Sequence, residues 1–125
     1  MSAQPNILMI MSDQMTPLMM SAYGEERVQT PHLDQLAKTG VRFDAAYSSC
    51  PLCTPARMAL MAGQYVSRIG AWDNGAVLHA DVPTFCHHLA GAGYDTVLTG
   101  KMHFAGPDQL HGFKKRLTTD IYPSD

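Results

Sequence analysis

The sequence is poor in charged residues. Asp, Glu, Lys and Arg make up 16% of its 125 residues, against about 25% in typical soluble domains, so much of the chain is expected to be buried or covered. The formal net charge is -2, which leaves no basic field of the kind that attracts nucleic acid or an anionic membrane. We therefore expect neither among the partners of this protein.

Long apolar runs and paired cysteines are also missing. The longest apolar run, residues 7–11, is too short to span a bilayer. Residues 1–5 lack the basic region and apolar stretch of a signal peptide, so a cytoplasmic location is the default expectation. Three cysteines do not indicate a disulfide framework. The length suits one domain at most.

Strand and helix patterns alternate along the chain. Residues 6–11 are apolar from residue 7 onward, without alternation, which is typical of a strand buried on both faces of a parallel sheet. Further strands are predicted at residues 41–47 and 94–99, and helices at residues 31–39, 55–62 and 84–92. Residues 64–81 are loop-like, with an exposed Trp72. The alternation favours an α/β fold with a mostly parallel sheet flanked by helices.

Polar residues follow two of these predicted strands. Asp13 comes just after the first strand, and Lys101 and His103 come just after the third. Because open α/β sheets bind ligands at the carboxyl ends of their strands, we expect Asp13 and Lys101 to share one edge of the sheet. By themselves, Lys101 and His103 are equally typical of surface residues.

Cys53 precedes a well-marked helix start. Thr54 can cap the helix, Pro55 suits the first helical position, and Gly63 is a natural stop. The helix dipole and the free N–H groups at such an end favour an anion, and Arg57 lies one turn further on. The pattern predicts that a nucleophile at Cys53 meets an anionic substrate in a positive environment.

Two motifs in this sequence resemble those of the sulfatase family. Residues 53–57 read Cys-Thr-Pro-Ala-Arg, similar to the Cys-x-Pro-x-Arg core whose cysteine is oxidised to formylglycine. Residues 93–96 read Gly-Tyr-Asp-Thr and residues 100–103 read Gly-Lys-Met-His, similar to a second family motif from which only Thr99 departs slightly. The resemblance implies an alkaline-phosphatase-like sandwich. Sulfatases are several times longer, so residues 1–125 are expected to be the N-terminal portion of the catalytic domain.

The resemblance also implies a role for each motif residue. A formylglycine-generating enzyme would convert Cys53, whose hydrated aldehyde then attacks the sulfate ester and forms a covalent sulfated enzyme. Arg57 would stabilise the hydrate, Lys101 would bridge the sulfate and the nucleophile's oxygen, and His103 would hold or deprotonate the hydrate.

A divalent metal is the implied cofactor, with calcium as first choice and magnesium or manganese as alternatives. Asp13 is the implied ligand, together with the modified Cys53. Gln14 stands where many family members carry a second aspartate, and its neutral amide would bind more weakly or only orient the substrate. Since a hard cation wants six or more oxygens, the remaining ligands are expected beyond residue 125.

The C-terminal tail of the sequence, residues 100–123, resembles one branch of the family, the choline sulfatases. Residues 100–113 and 116–123 carry that likeness, which implies choline sulfate as the substrate, and His111 is expected to shape the pocket. A quaternary ammonium is recognised by aromatic faces, for which the sequence offers Trp72, Tyr94, Phe104 and Tyr122.

Several alternatives stay open. A phosphonate or phosphate ester hydrolase would use the same machinery on another tetrahedral anion. Cys50 and Cys53 form a Cys-x-x-Cys pair at a helix start, as in thiol–disulfide oxidoreductases. A zinc site at Cys86, His87 and His88 is disfavoured because adjacent helical residues cannot converge on one ion. A homo-oligomer, or an inactive fragment that serves as an interaction module, also remains open.

Overall fold

Four α-helices and two short strands form the regular structure of residues 4–120, the part of the chain that the computed structural model describes. In chain order they are α1 (Pro31–Thr39), α2 (Cys53–Ala62), α3 (Val66–Ile69), α4 (Phe85–Gly91), β1 (Val97–Leu98) and β2 (Lys115–Arg116), preceded by two 3-10 turns, Pro17–Met19 and Ser21–Tyr23. The chain divides into two units, Met1–Ala46 and Tyr47–Asp125. None of the described helices has both the length and the apolar character needed to cross a membrane.

The first unit is held by polar contacts, since none of its described residues is buried. Helix α1 begins after Thr30 and ends before Gly40, as predicted. The Asp34 carboxylate accepts a hydrogen bond from the Thr30 hydroxyl at 3.1 Å and another from the Ser21 hydroxyl at 2.7 Å. These bonds tie the second 3-10 turn to the helix. The Leu36 side chain of this helix is exposed, at 64%.

Residues 6–11 and 41–47 are not strands, contrary to the prediction. The apolar side chains of residues 7–11 are exposed, with Leu8 at 84% and Ile10 at 80%. A parallel strand exists only through hydrogen bonds to its neighbours, and within residues 4–46 no strand pairs with either segment. Apolar composition alone therefore did not predict these strands correctly, because a strand also requires a neighbouring strand with which to form hydrogen bonds.

Helix α2 is the centre of the second unit because its two methionines enter two apolar clusters. Met58 packs with Ala71 and Leu78. Met61 packs in a second cluster, whose other buried members are Cys86, Leu98, Met102 and Phe104. Methionine side chains adapt to irregular gaps, which suits a short helix packed on two sides. Gly63 ends the helix at a φ of 62°, as the sequence predicted.

Strands β1 and β2 pair in parallel, with Val97 opposite Lys115 and Leu98 opposite Arg116. The predicted strand at residues 94–99 is thus confirmed in a shorter form, and its pairing is parallel as expected. Strand β2 was not predicted, because its two charged residues show no apolar alternation. Residues 100–103 lie in the connection between the strands, just after β1.

Of the two remaining helices of the second unit, α3 was not predicted and α4 agrees with the predicted helix. Residues 64–81 were predicted as a loop but contain the single turn α3, which ends at Gly70. Helix α4 begins after Thr84, whose side chain forms a capping box with His87. Trp72 is exposed as predicted, at 65%.

Gly112→Ala is expected to destabilise the protein more than Gly63→Ala. Both glycines have positive φ, 92° and 62°, so either alanine costs about 1 kcal/mol in backbone strain. A Cβ at Gly112 would also lie 2.7 Å from the backbone nitrogen of His87, whereas one at Gly63 meets no atom within 4 Å. Overpacking should raise the cost to roughly 3 kcal/mol at Gly112. Urea unfolding measures both changes, and equal midpoints would contradict the close contact.

Candidate active site

Cys53 is the first residue of α2, which differs from the predicted helix start. Thr54 was expected to cap the helix and Pro55 to open it, but the helix begins two residues earlier, after Leu52. Another side chain takes the capping role: Asn74 Oδ1 accepts a hydrogen bond from the Thr54 backbone N–H at 3.0 Å. The Thr54 hydroxyl in turn donates to the Asn74 carbonyl oxygen at 3.2 Å. Cys53 therefore lies within the first helical turn, where the dipole favours negative charge.

Asn74 is a site residue that the sequence analysis missed. It lies in a turn where Asp73 Oδ1 accepts a hydrogen bond from the Gly75 N–H at 2.9 Å, and Asp, Asn and Gly are typical turn residues. That pattern indicates the turn itself. It carries no information about a helix start twenty residues earlier, so the contact could not be predicted.

Arg57 connects the two motifs. Its side chain is buried, with 7% of the residue exposed, and Nη1 donates to the carbonyl oxygen of Lys101 at 2.6 Å. The Cys-x-Pro-x-Arg segment and the Gly-Lys-x-His segment are therefore in contact, although 44 positions separate these two residues. This bond brings the helix that carries Cys53 into contact with the loop after β1.

The loop after β1 alternates buried and half-buried residues. Met102 and Phe104 are buried in the apolar cluster, whereas Lys101 and His103 are half-buried. The alternation agrees with the expected common direction of Lys101 and His103. The loop is not a regular strand, however, because His103 has a φ of 58°. A non-glycine residue in this left-handed region is uncommon and is found most often at functional sites.

A buried carboxylate holds this loop from the C-terminal side. Asp120 Oδ2 accepts hydrogen bonds from the backbone N–H groups of Met102 and Phe104, each at 3.2 Å. Arg116 Nη2 donates to the same oxygen at 2.8 Å. The sequence analysis included Arg116 and Asp120 in the tail but assigned them no role, because an Arg–Asp pair four positions apart is also common on helix surfaces.

His111 packs beneath the loop and does not reach the surface. Its residue is 1% exposed, and its ring makes an edge-on contact with Phe104 at 4.5 Å between centroids. Burial lowers the pKa of His111, although the Asp108 carboxylate, 3.3 Å from Nδ1, opposes that shift. The structure places His111 in the core, and the expectation that it shapes the substrate pocket stays a prediction.

The aromatic residues suggested for a cation site differ in availability. Phe104 is 1% exposed; its ring contacts the His111 ring, and the Arg116 guanidinium lies over it at 5.8 Å from the centroid, so the ring is already occupied by contacts within the second unit. Tyr94 is half-buried and Trp72 is exposed. Tyr122 lies outside the described residues.

The three thiols have different surroundings. Cys50, Cys53 and Cys86 are all free cysteines. Cys86 is buried in the apolar cluster, and burial raises the pKa of its thiol to about 11. A thiol protonated at neutral pH is inert. Cys50 and Cys53 are both half-buried. Of these two, Cys53 lies in helix α2 and Cys50 precedes it.

Asp13 and Gln14 lie in an exposed turn of the first unit. Gln14 has a φ of 51°, a second left-handed residue among the predicted site positions. Within residues 4–120 no three His, Cys, Asp or Glu side chains are grouped so as to hold a metal ion. Carboxylate and amide oxygens suit a hard divalent cation, which takes six or more ligands. The two residues fit such a cation in kind but supply only part of its ligand set.

Comparison with known proteins agrees with these motifs. Residues 5–122 match the sequence profile of the Sulfatase family. The chain is 52% identical to a choline-sulfatase of Rhizobium meliloti (strain 1021), over 99% of the chain and 24% of that protein. It is 37% identical to an N-acetylglucosamine-6-O-sulfatase of Bacteroides thetaiotaomicron, over 85% of the chain and 19% of that protein. The chain thus spans about a quarter or less of the length of these curated relatives.

Solved structures show the same relationship. A structure described as a complex with its substrate D-glucosamine-2-N,6-O-disulfate matches with a TM-score of 0.85 at 36% identity, over 91% of this chain and 23% of that one. A 2-O GAG sulfatase structure matches with a TM-score of 0.73 at 30% identity, over 90% of this chain and 25% of that one. The α/β, alkaline-phosphatase-like class implied by the motifs is confirmed, and the chain belongs to the sulfatase family.

Proposed function

We propose that this chain is the N-terminal portion of the catalytic domain of a formylglycine-dependent sulfatase that hydrolyses a small organic sulfate ester. The hydrogen bond from Arg57 to the Lys101 carbonyl oxygen carries the proposal, because it joins the two motifs typical of sulfatases. The exposed apolar residues 7–11 and the coverage of about a quarter of the relatives agree with a larger domain. The rest of such a domain would cover this apolar run.

In this proposal a formylglycine-generating enzyme converts Cys53. The aldehyde, as its hydrate, supplies one oxygen that attacks the sulfur atom and a second hydroxyl that releases the product. The location of Cys53 in the first turn of α2 supports this role. The helix dipole favours an anion there. The N–H groups of Thr54 and Ala56 are already bonded, to Asn74 and Leu52, and Pro55 has none, so the dipole rather than a set of free N–H groups supports the role.

Three basic side chains surround the reaction in this proposal. A sulfate ester resists attack because its oxygens repel nucleophiles, so positive groups must lie beside it. Lys101 would contact a sulfate oxygen and His103 would take a proton from the nucleophile. Arg57 is buried and held by the Lys101 carbonyl oxygen, which fixes the direction of its guanidinium toward the same loop.

Asp13 is the proposed metal ligand, and Gln14 and the modified Cys53 are proposed as further ligands. A bound divalent cation, with calcium as first choice, would polarise a sulfate oxygen as a Lewis acid. The donor types of Asp13 and Gln14 suit such an ion. The neutral amide of Gln14 leaves one negative charge fewer than an aspartate pair would.

Choline sulfate is the proposed substrate. The support is the 52% identity with a choline-sulfatase along nearly the whole chain, which includes the tail beyond the catalytic motifs. The leaving alcohol would carry a quaternary ammonium, which aromatic faces recognise. Of the described candidates, Trp72 and Tyr94 have accessible rings.

Cys53 is expected to be the one cysteine converted to formylglycine when the protein is expressed with the modifying enzyme. It alone has Pro55 and Arg57 at the required offsets. Peptide mass spectrometry should show residue 53 without one sulfur and two hydrogens and with one additional oxygen. Cys50 and Cys86 serve as internal controls and should remain thiols. Fully active protein with an unmodified Cys53 would contradict the assignment.

Asp13→Ala is expected to abolish metal binding and sulfate ester hydrolysis together, because a missing carboxylate removes charge and a ligand from the cation. Elemental analysis of the full-length protein measures the metal. Asp44→Ala is the matched control, since Asp44 lies in the same unit and pairs on the surface with Arg42. Full metal occupancy in the Asp13 variant would refute the ligand assignment.

Choline sulfate is expected to be hydrolysed with a higher kcat/KM than a neutral aryl sulfate or a phosphonate monoester. The physical reason is the contact between its ammonium group and aromatic side chains, worth about 1–2 kcal/mol or roughly tenfold in kcat/KM. Steady-state kinetics of the full-length protein on the three esters makes the comparison. A higher kcat/KM for the aryl sulfate would reject choline sulfate as the preferred substrate but would still agree with a sulfatase. Preference for the phosphonate would favour a phosphonate hydrolase.

A further inference from the structure

One carboxylate oxygen fixes the backbone on both sides of His103. Asp120 Oδ2 accepts hydrogen bonds from the N–H of Met102, which precedes His103, and from the N–H of Phe104, which follows it. The Asp120 side chain is 1% exposed. Because hydrogen bonds to a buried charged group are stronger than those between neutral groups, this contact strongly constrains the loop.

The backbone between these two bonds is in an unfavourable conformation. His103 has a φ of 58°, a region that non-glycine residues enter only when their surroundings enforce it. Met102 and Phe104 are buried on one side of the loop. His103, between them, is half-buried, and its Nδ1 atom is buried. The two bonds to one oxygen hold the backbone of His103 in this conformation.

Arg116 and Gln109 hold the carboxylate and the far end of the loop. Arg116 Nη2 donates to Asp120 Oδ2 at 2.8 Å, and its Nη1 donates to Gln109 Oε1 at 2.8 Å. Gln109 Nε2 donates to the carbonyl oxygens of Phe104 and Gly106, at 2.9 and 2.8 Å. A continuous set of polar contacts therefore runs from Asp120 to the end of the loop.

Thr118 holds the near end of the loop by a separate bond. Its Oγ1 accepts a hydrogen bond from the Gly100 N–H at 2.6 Å. Thr118 is exposed, so this bond can be removed without burying an unpaired charge. The two anchors can thus be tested one at a time.

We propose that Asp120 is a positioning residue that holds Lys101 and His103 in the orientation needed for hydrolysis. The inference rests on the proposed function for its catalytic consequence, but the structural part stands by itself. Asp120 acts through the backbone and touches no reacting atom. Its effect on the reaction therefore passes through His103 and Lys101.

Amide hydrogen exchange tests the structural part without any substrate. In Asp120→Asn, exchange at the Met102 and Phe104 amides should rise about tenfold or more, because a charged acceptor is lost. The Gly100 amide should keep its rate. Thr118→Val should show the reverse pattern and is the control that attributes the change at Met102 and Phe104 to Asp120. Unchanged exchange at Met102 and Phe104 in a folded Asp120→Asn variant would overturn the proposal. If that variant does not fold, the wild-type protein decides, because unprotected Met102 and Phe104 amides would overturn the proposal as well.

Asp95→Asn is the matched control for the loss of an aspartate charge. Asp95 pairs with Lys115 at 2.9 Å on the surface, so its substitution should leave the exchange of the loop amides and the hydrolysis rate unchanged. A similar effect in both variants would attribute the result to net charge and would contradict the positioning role.

A double-mutant cycle tests the catalytic part. Asp120→Asn should lower kcat roughly tenfold or more with a smaller change in KM, and adding it to His103→Ala should cause a smaller loss than Asp120→Asn causes alone, because part of its effect passes through His103. Additive losses would overturn the positioning role. If the wild-type protein hydrolyses no sulfate ester, the proposed function fails, while the amide exchange still decides whether Asp120 holds the loop.

Discussion

The hydrogen bond between the Arg57 guanidinium and the Lys101 carbonyl oxygen is the contact on which the site depends. A guanidinium cannot lose its charge in a protein, so burying it requires acceptors that replace water. The loop after β1 offers its backbone for this purpose at 2.6 Å. The buried Arg57 guanidinium therefore needs the Lys101 carbonyl oxygen as an acceptor. A shift of either the Cys-x-Pro-x-Arg segment or the Gly-Lys-x-His segment would break this bond.

The apolar packing of α2 keeps this bond in place. Met58 and Met61 enter separate clusters on the helix, and Met61 shares its cluster with Met102 and Phe104 of the loop. The helix that carries Cys53 and the loop that carries Lys101 are therefore packed in one core. The hydrogen bond orients the Arg57 guanidinium toward the loop, whereas the apolar cluster holds helix α2 and the loop close together.

Local features of the sequence predicted local features of the structure. Thr30, Pro31 and Gly40 marked the ends of α1, and Gly63 marked the end of α2, because these residue types favour helix ends locally. Gly63 ends its helix with a positive φ of 62°, whereas Gly40 has a φ of -120° and Thr30 makes no side-chain capping bond. The grouping of Arg57 with Lys101 came from the family resemblance, and the bond between them agrees with it.

Features that depend on distant partners could not be predicted. Residues 6–11 looked like a buried strand but have no paired neighbour among the described residues. Strand β2 is two charged residues long and owes its pairing to β1. Asn74 and Asp120 accept hydrogen bonds from backbone N–H groups 16 to 20 positions away. The presence of an Asn or an Asp in a sequence does not indicate such a distant contact. Asp13 and Gln14 lie in the first unit, so their part in the site remains a prediction.

The parallel pairing of β1 and β2 has a consequence for how this segment can vary in length. The loop with Lys101 and His103 is part of the crossover between the two strands, and the register places Arg116 opposite Leu98. Side chains along a strand alternate between faces, so a deletion of one residue in the crossover that shifted this register would turn Arg116 to the opposite side. The carboxylate of Asp120 would then lose its buried cation. Insertions and deletions that shift the register are thus disfavoured by the geometry of a two-residue ladder, independently of any requirement of the chemistry, whereas those absorbed in the loop leave the ladder unchanged.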